Sequence, residues 1–183
     1  MSITLKSSLL CLAALLVYIY TDPGFASDGI GARLLNQVNF SASLTTAGQP
    51  TEQELALIAE NDYDRVIFLA FSNHPRRVPN EDVIVRSLGL QFIHIPVDWD
   101  SPSLADFETF AAVMQTAPVG KTLVHCEVNF RASVFGFLYQ VLYAGADMDD
   151  AMSVMQSVWV PNDTWQGFIV RVMNEKGFDY PAL

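Results

Sequence analysis

Apolar residues are grouped along residues 27–183 in blocks whose lengths and spacing predict alternating strands and helices. The block at residues 65–70 is a continuous apolar run of strand length after Arg65, which is typical of a strand covered on both faces, and two further strands follow it. A shorter extended region precedes them. The predicted extended segments are residues 38–46, 65–70, 91–95 and 121–125.

Helical patterns separate these strands, and several begin at recognisable capping residues. Thr51 and Glu54 form a capping box, in which each side chain bonds the backbone amide of the other residue. Asn80 is predicted to cap a short helix that ends at Gly89, and Ser103 to cap a helix that continues to about residue 115. The remaining helices are predicted at about residues 131–144, 149–158 and 163–175.

The alternation of strand and helix favours an α/β fold of three layers, with a mostly parallel sheet flanked by helices. In such folds ligands bind beyond the carboxyl ends of the strands. The loops that leave those ends are residues 71–79, 96–102 and 126–131. We therefore expect the functional residues in these three loops.

The first 26 residues have the pattern of a secretory signal peptide. Lys6 is followed by an almost entirely apolar stretch over residues 9–20, and Gly24 and Ala26 supply the small residues of a cleavage site. This stretch is short of the roughly 20 residues of a bilayer-spanning helix, and an uncleaved N-terminal anchor is the alternative. We expect a signal peptide at residues 1–26 and a single domain at residues 27–183. The protein would be exported, periplasmic or secreted, with no stable membrane insertion after cleavage.

The composition of the chain excludes several classes of partner. Ten Lys and Arg against 20 Asp and Glu give a formal net charge of −10, so the chain lacks the basic face that binds nucleic acid. The three histidines, His74, His94 and His125, share no metal-ligand spacing with a cysteine, and neither a metal nor a cofactor is expected. After removal of residues 1–26, Cys126 would be the single cysteine, which excludes an intramolecular disulfide.

Cys126 lies in the segment from His125 to Ser133, between the last predicted strand and the next helix. The backbone amides of such a loop can converge on an anion at a helix N-terminus, and the same positive end favours the thiolate form of a cysteine. Arg131 adds a planar guanidinium suited to a tetrahedral oxyanion, and Ser133 is predicted to donate a hydrogen bond to the sulfur. An inert buried cysteine is the alternative interpretation.

This segment resembles the signature of the cysteine-dependent phosphatases, of the tyrosine and dual-specificity types, which is His-Cys, five residues, Arg, then Ser or Thr. Residues of about 38–172 are most similar to the small bacterial phosphatase-like domain that is also found fused to β-lactamase-like hydrolases. The further matching segments are Ala47-Gly48-Gln49-Pro50, Ile93-His94-Ile95-Pro96-Val97-Asp98 and Val158-Trp159.

The resemblance implies a phosphatase-like fold and hydrolysis of a phosphate monoester through a phosphocysteine intermediate. The substrate would be a phosphorylated small molecule or a phosphoprotein. Cys126 would attack, Arg131 would hold the oxyanion with the loop amides, and Ser133 would assist release of the cysteine. Asp98 occupies the place of the general acid, with Asp100 as the alternative. The substrate-binding residues would be Glu127, Val128, Asn129, Phe130 and Arg131, with His125 lying under the loop and orienting it.

One difference from the phosphatase signature leaves two other functions open. Only four residues, 127–130, separate Cys126 from Arg131, and the usual loop glycine is absent, although Asn129 can adopt the left-handed conformation that glycine supplies. The loop is likewise one residue shorter in rhodanese-type sulfurtransferases, which this arrangement also resembles. The alternatives are therefore a sulfurtransferase or persulfide carrier that uses Cys126, and a non-catalytic anion-binding or redox-sensing module.

Several residues near these loops are interpreted as structural. His94 is predicted to be a hydrogen-bonded core residue, and Arg76 and Arg77 to be a solvated pair. Trp159 and Trp165 are predicted to pack the last helices onto the core, with a pocket wall as the alternative.

Overall fold

The computed structural model describes residues 34–116, 120–178 and 180, which lie within one compact unit. The predicted signal peptide at residues 1–26 falls outside the described residues. Within these limits the strands are β1 (Val38–Ser41), β2 (Leu44–Ala47), β3 (Tyr63–Phe68), β4 (Gln91–His94) and β5 (Lys121–His125). The helices are α1 (Glu52–Glu60), α2 (Glu81–Ser87), α3 (Leu104–Gln115), α4 (Phe130–Tyr143), α5 (Met148–Gln156) and α6 (Asp163–Glu175).

The predicted α/β fold with a mostly parallel sheet is confirmed. The strands form a sheet in the order β1-β2-β5-β3-β4, in which β2, β5, β3 and β4 run parallel. The extended region predicted at residues 38–46 is two strands, because the chain turns back after Ser41 and β1 pairs antiparallel with β2. None of the described helices is long and apolar enough to cross a membrane.

Helices cover both faces of the sheet and complete the three predicted layers. The smaller layer consists of α1 and α2, which pack on β3 and β4. The larger layer is built around α4, which contacts β1, β2 and β5 from one side and α3, α5 and α6 from the other. The apolar residues beneath the smaller layer include Leu55, Ile58, Val66 and Leu123, and those beneath the larger layer include Ile67, Phe107, Phe135, Phe137 and Trp165.

A close approach between α4 and the first two strands fixes the helix that carries the candidate site. A Cβ atom at Gly136 would lie 2.6 Å from a ring carbon of Phe40 and 3.0 Å from the methyl group of Thr46. Only glycine therefore fits at this point of the helix without displacing its neighbours. Helix α4, whose first turn follows the candidate loop, therefore packs closely on β1 and β2.

The predicted helix starts are observed, with one difference in mechanism. Thr51 and Ser103 both form complete capping boxes with the residue three positions on. Asn80 also precedes the first turn of its helix, but its side chain makes no capping hydrogen bond. Its backbone is left-handed, with φ 55°, whereas a side-chain cap forms from the extended conformation.

The order of the strands brings three chain segments together at one edge of the sheet. Because β5 lies between β2 and β3 and runs parallel to both, the residues that follow these strands are neighbours. They are residues 48–51, 69–80 and 126–129. Cys126, the first residue after β5, is therefore placed at the centre of this edge.

Candidate active site

The thiol of Cys126 is fully buried, with no exposed surface. Its backbone amide donates to the carbonyl of Ala47 at 3.2 Å, which continues the pairing of β5 with β2 by one residue. The nucleophile predicted from the sequence thus lies on a rigid strand end rather than on a free loop. A substrate can reach the sulfur only when the residues around it separate.

Two carbonyls of the loop after Cys126 accept hydrogen bonds from residues outside the loop. The Glu127 carbonyl accepts from the amide of Gln49 at 3.1 Å, and the Val128 carbonyl accepts from the side chain of Asn36 at 3.0 Å. In a trans peptide the N–H and C=O groups of one plane point in opposite directions. The amide of Val128 therefore points away from Gln49, and Val128 forms an isolated antiparallel bridge with Gly48.

Asn129 supplies the backbone conformation that allows so short a loop to enter a helix. Its φ is 73°, in the left-handed region, as the sequence predicts. Its side-chain amide donates to the carbonyl of Asn36, and its own carbonyl accepts from the amide of Ser133 at 2.9 Å, which is the first bond of α4. Among the described residues, the backbone amides of residues 127, 128 and 130–132 have no hydrogen-bond acceptor, whereas Asn129 follows Val128, which forms an isolated antiparallel bridge with Gly48. Unpaired amides at a helix N-terminus can bind an anion.

Arg131 extends from this helix terminus toward the loop that follows β4. Its Nε donates to the carbonyl of Val97 at 3.1 Å, and its guanidinium carbon lies 5.2 Å from the ring centroid of Trp99, over the ring. The cation–π contact and the hydrogen bond orient the guanidinium. Its two terminal nitrogens have no acceptor among the described residues, so both are available to donate to an oxyanion.

Asp98 directly follows Val97, whose carbonyl accepts the hydrogen bond from Arg131. The Asp98 side chain is exposed, and its Oδ1 accepts from the amides of Asp100 at 2.8 Å and Ser101 at 2.9 Å. Its second oxygen remains for proton transfer. Asp100 is also exposed, but it is one residue further from the contact with Arg131. The choice of Asp98 as the acid, with Asp100 as the alternative, stays a prediction.

Ser133 differs from its prediction in the partner of its hydroxyl. The side chain is fully buried and donates to the carbonyl of Phe130 at 3.1 Å, whereas the sequence predicts a donation to Cys126. Trp159 Nε1 donates both to this hydroxyl at 3.2 Å and to the Phe130 carbonyl at 3.1 Å. Trp159 thus lies against the loop, with its ring stacked on Phe130 at 4.5 Å, and not only against the core.

A buried polar cluster, which the sequence analysis does not predict, lies beside the loop. It consists of Gln49, His74, Glu81 and His125, all at least nine-tenths buried. His125 Nε2 lies 3.0 Å from Glu81 Oε1, and Gln49 Nε2 donates to Glu81 Oε2 at 3.0 Å. Glu81 follows a loop and precedes an exposed acidic residue in the same helix turn, so nothing in the pattern distinguishes it as buried. Gln49 belongs to the segment Ala47-Gly48-Gln49-Pro50, which only the resemblance to the phosphatase-like domain distinguishes in the sequence.

The rings of His94, Phe68 and His125 form a stack across neighbouring strands. Phe68 of β3 lies 4.8 Å from each histidine ring, at interplanar angles of 13° and 12°. His94 Nε2 lies 2.8 Å from the Ala70 carbonyl, so the predicted hydrogen bond exists. The residue is nevertheless exposed rather than in the core, because β4 is the edge strand.

His74 is the least expected member of the cluster, because it lies on the loop after β3. Its Nδ1 accepts from the amide of Arg76 at 3.2 Å, and its Nε2 has no partner among the described residues. Burial lowers the pKa of His74, and the nearby charges of Glu127, His125, Glu81 and Arg131 act on it with opposite signs. The ring is therefore a neutral imidazole whose Nε2 carries the proton.

The remaining features at this edge do not form a separate site. A cavity of about 400 Å³ is lined by Arg77, Glu81, Phe92 and His94 among others, but Cys126 is not part of its wall. Arg76 and Arg77 are exposed, as the solvated interpretation predicts. The part of the chain that the structure describes holds no group of three or more His, Cys, Asp or Glu suited to a metal ion.

Comparison with known proteins identifies chains that share this fold. A solved structure from Shewanella putrefaciens CN-32, described as "Putative phosphatase (DUF442)", is 31% identical, with a TM-score of 0.68 over 78% of this chain and 91% of that chain. A second structure of the same description is 29% identical, with a TM-score of 0.71 over 79% and 95% of the two chains. The kinase associated phosphatase (KAP), with its catalytic cysteine replaced by serine, has a TM-score of 0.64 at 13% identity, over 73% and 87%. No family model and no curated protein matches the chain.

A largely parallel sheet with a Cys-loop-Arg segment between its central strand and the following helix is the architecture of the cysteine-dependent phosphatase superfamily. The resemblance stated from the sequence is thereby confirmed at the level of fold and superfamily. Within that superfamily, the chain belongs to the DUF442 family, on the basis of its identity to the Shewanella protein.

Proposed function

We propose that the protein hydrolyses phosphate monoesters through a phosphocysteine intermediate formed on Cys126. The observation that carries this proposal is the set of backbone amides without acceptors at residues 127, 128 and 130–132 of the described chain, which follow Cys126 directly at the end of β5. Arg131 adds its two terminal nitrogens, which have no acceptor among the described residues. A dianionic phosphoryl group needs such a concentration of donors in place of its hydration shell. The membership of the DUF442 family supports the same reaction.

The reaction takes place in two steps. The thiolate of Cys126 attacks phosphorus, the phosphorus–oxygen bond of the ester breaks, and Asp98 gives its proton to the leaving oxygen. Water then attacks the phosphocysteine while Asp98 takes back a proton, and the sulfur leaves as thiolate. Arg131 and the amides of Glu127, Val128, Asn129 and Phe130 hold the equatorial oxygens throughout.

The substrate is a phosphorylated small molecule or a phosphoprotein. Nucleic acid is disfavoured because the formal net charge is −10, with ten Lys and Arg against 20 Asp and Glu. Trp99, Phe130 and Trp159 are half-buried beside Arg131, and their rings lie 4.5–6.2 Å apart. An aryl phosphate is therefore a suitable probe, because its ring can contact this aromatic wall.

The experiment is turnover of p-nitrophenyl phosphate by the full chain and by three variants. Cys126→Ser removes the nucleophile and is expected to abolish turnover. Asp98→Asn keeps an acceptor for the amides of Asp100 and Ser101 but cannot donate a proton, so kcat should fall by about 10²- to 10⁴-fold and lose one limb of its pH profile. Asp100→Asn is the matched control and should change kcat little.

Two outcomes would contradict this proposal. Turnover that survives Cys126→Ser would exclude a phosphocysteine. Thiosulfate-dependent gain of one sulfur on Cys126, in a chain that does not hydrolyse the ester, would assign the site to sulfur transfer. An effect of Asp100→Asn as large as that of Asp98→Asn would remove the assignment of the acid.

We propose further that the protein acts outside the cytoplasm, after removal of residues 1–26, and then has no stable membrane insertion. The charge and apolar pattern of that segment supports export. Expression in a bacterial host followed by mass analysis of the exported fraction should give a chain that begins at Ser27. A full-length chain retained in the membrane fraction would instead indicate an uncleaved anchor.

A further inference from the structure

The turn at residues 34–37, ahead of β1, contacts the loop that follows Cys126. The amide of Gln37 closes the turn by donating to the carbonyl of Leu34 at 3.1 Å. Asn36 is the third residue of the turn and is exposed, with a left-handed backbone at φ 50°. Asparagine adopts this conformation more readily than most residues, so the sequence suits the turn.

The turn is fixed to the sheet independently of the loop. The amide of Gly48, directly after β2, donates to the carbonyl of Leu35 at 2.7 Å. A Cβ atom at Gly48 would lie 2.9 Å from a methyl carbon of Leu35, so the two chains approach as closely as a glycine allows. Leu34 is buried and belongs to the apolar core beneath the smaller helix layer. The position of Asn36 is therefore set by β2 and by this core.

Two hydrogen bonds of opposite direction join Asn36 to the loop. Asn36 Nδ2 donates to the carbonyl of Val128 at 3.0 Å, and Asn129 Nδ2 donates to the carbonyl of Asn36. Asn129 is fully buried, and this is the one hydrogen bond of its side chain among the described residues. A buried amide that loses its acceptor is strongly unfavourable. The turn and the loop therefore hold each other in one arrangement.

These two bonds determine the backbone conformation of Asn129. The Val128 carbonyl and the Asn129 side chain lie on opposite sides of the Asn129 N–Cα bond, so fixing both fixes the φ of Asn129. Its value of 73° is one that glycine adopts without cost and asparagine does not. The same φ turns the chain into α4, whose first amides, at residues 130–132, have no acceptor among the described residues. A four-residue loop without glycine thus relies on a contact from outside itself.

We propose that Asn36 is a positioning residue, which acts through Val128 and Asn129 to hold the loop in the conformation that leaves its amides free for an anion. The anion site is then formed before the substrate arrives, and the amides need not reorganise during the reaction. The inference rests on the proposed function for its purpose, since the reaction uses these amides. Its physical content is a backbone conformation and an affinity for inorganic phosphate, both of which can be measured without turnover.

The test compares Asn36→Gly with the unaltered full chain. Glycine keeps the left-handed turn and the carbonyl that accepts from Asn129, and removes only the donor to Val128. The dissociation constant for inorganic phosphate, from an NMR titration, should rise roughly fivefold, the effect of one net hydrogen bond. A residue with positive φ gives a strong NMR cross-peak between its own amide and Hα protons, and this cross-peak of Asn129 should weaken.

Asn80→Gly is the matched control. Asn80 is also exposed and left-handed, at φ 55°, and its side chain makes no capping hydrogen bond. The control should leave the phosphate affinity and the Asn129 cross-peak unchanged, while the urea midpoints of the two variants should be similar. If Asn36→Gly does not fold, Asn36→Asp replaces it, because aspartate also tolerates the turn but cannot donate to Val128. Its charge-matched control is Asn39→Asp, which keeps an acceptor for the Thr45 hydroxyl.

The outcomes separate this inference from the proposed function. An unchanged phosphate affinity and an unchanged Asn129 cross-peak in Asn36→Gly, or equal changes in the control, would overturn the role of Asn36 even in a chain that hydrolyses the ester. A chain with the expected changes but without ester hydrolysis would keep that role and reject the phosphatase. If the unaltered chain does not bind phosphate, the Asn129 cross-peak decides: its loss in Asn36→Gly keeps the positioning role, and its persistence rejects it.

Discussion

The hydroxyl of Ser133 has one proton, and in the structure that proton is donated to the carbonyl of Phe130. Assistance to the sulfur of a phosphocysteine requires the hydroxyl to turn toward Cys126 and leave that carbonyl. The indole N–H of Trp159 is shared between the Ser133 oxygen and the same carbonyl. When Ser133 turns, the carbonyl therefore keeps a donor, and no buried acceptor is left without a partner.

Trp159→Phe tests this shared hydrogen bond. Phenylalanine can retain the stacking on Phe130 but cannot donate, so the turn of Ser133 would leave the Phe130 carbonyl unpaired at a cost of about 1–3 kcal/mol. We expect slower hydrolysis of the phosphocysteine, seen as a burst of p-nitrophenol followed by a reduced steady-state rate. The ratio kcat/KM should change little, because it depends only on the steps up to the phosphocysteine, for which the amides and Arg131 remain.

A double-mutant cycle supplies the control for Trp159. In a Ser133→Ala background the substitution Trp159→Phe should have no further effect on the breakdown step, since the two residues act through one hydrogen bond. Independent, additive effects of the two substitutions would show that Trp159 acts only by packing.

At the scale of the elements, the parts that could be predicted from sequence depend on local chemistry. The capping boxes at Thr51 and Ser103, the alternation of apolar runs with helices, and the left-handed backbone of Asn129 all follow from residues close together in the chain. The candidate loop is local in the same sense, because Cys126 and Arg131 are joined by a strand end and a helix start. The residues of this loop can therefore be predicted from one continuous segment of the sequence.

The parts that could not be predicted depend on pairing between distant elements. Arg65 lies in an apolar run, yet its guanidinium is buried and donates to the Val113 carbonyl at 2.8 Å and to Thr116 Oγ1 at 3.1 Å, at the end of α3. This arrangement caps a helix that begins about forty residues later. Burial lowers the pKa of Arg65. Glu81 is a similar case, because its burial depends on β5 and the segment after β2, neither of which is near it in sequence.

At the scale of the whole molecule, two buried histidines, His74 and His125, lie at the candidate edge of the sheet, and of these only His125 is within 4 Å of a carboxylate among the described residues. His74 is held neutral because burial lowers its pKa below the ordinary value of 6.5. In the unfolded chain the same residue titrates near 6.5. The stability of the fold against acid is therefore coupled to a residue at the candidate active site.

The sign of this coupling gives a prediction for the whole chain. Below pH 6.5 the unfolded state binds a proton at His74 that the folded state does not, so this contribution to the free energy of unfolding is present above pH 6.5 and is lost as the pH falls through the folded pKa. His74→Asn keeps an acceptor for the Arg76 amide and removes the titration. Urea unfolding at about pH 7 and about pH 5.5 should show a smaller loss of stability on acidification in His74→Asn than in the unaltered chain. The carboxylates are common to both chains and cancel in this comparison, so an identical loss in the two would mean that folding does not lower the pKa of His74.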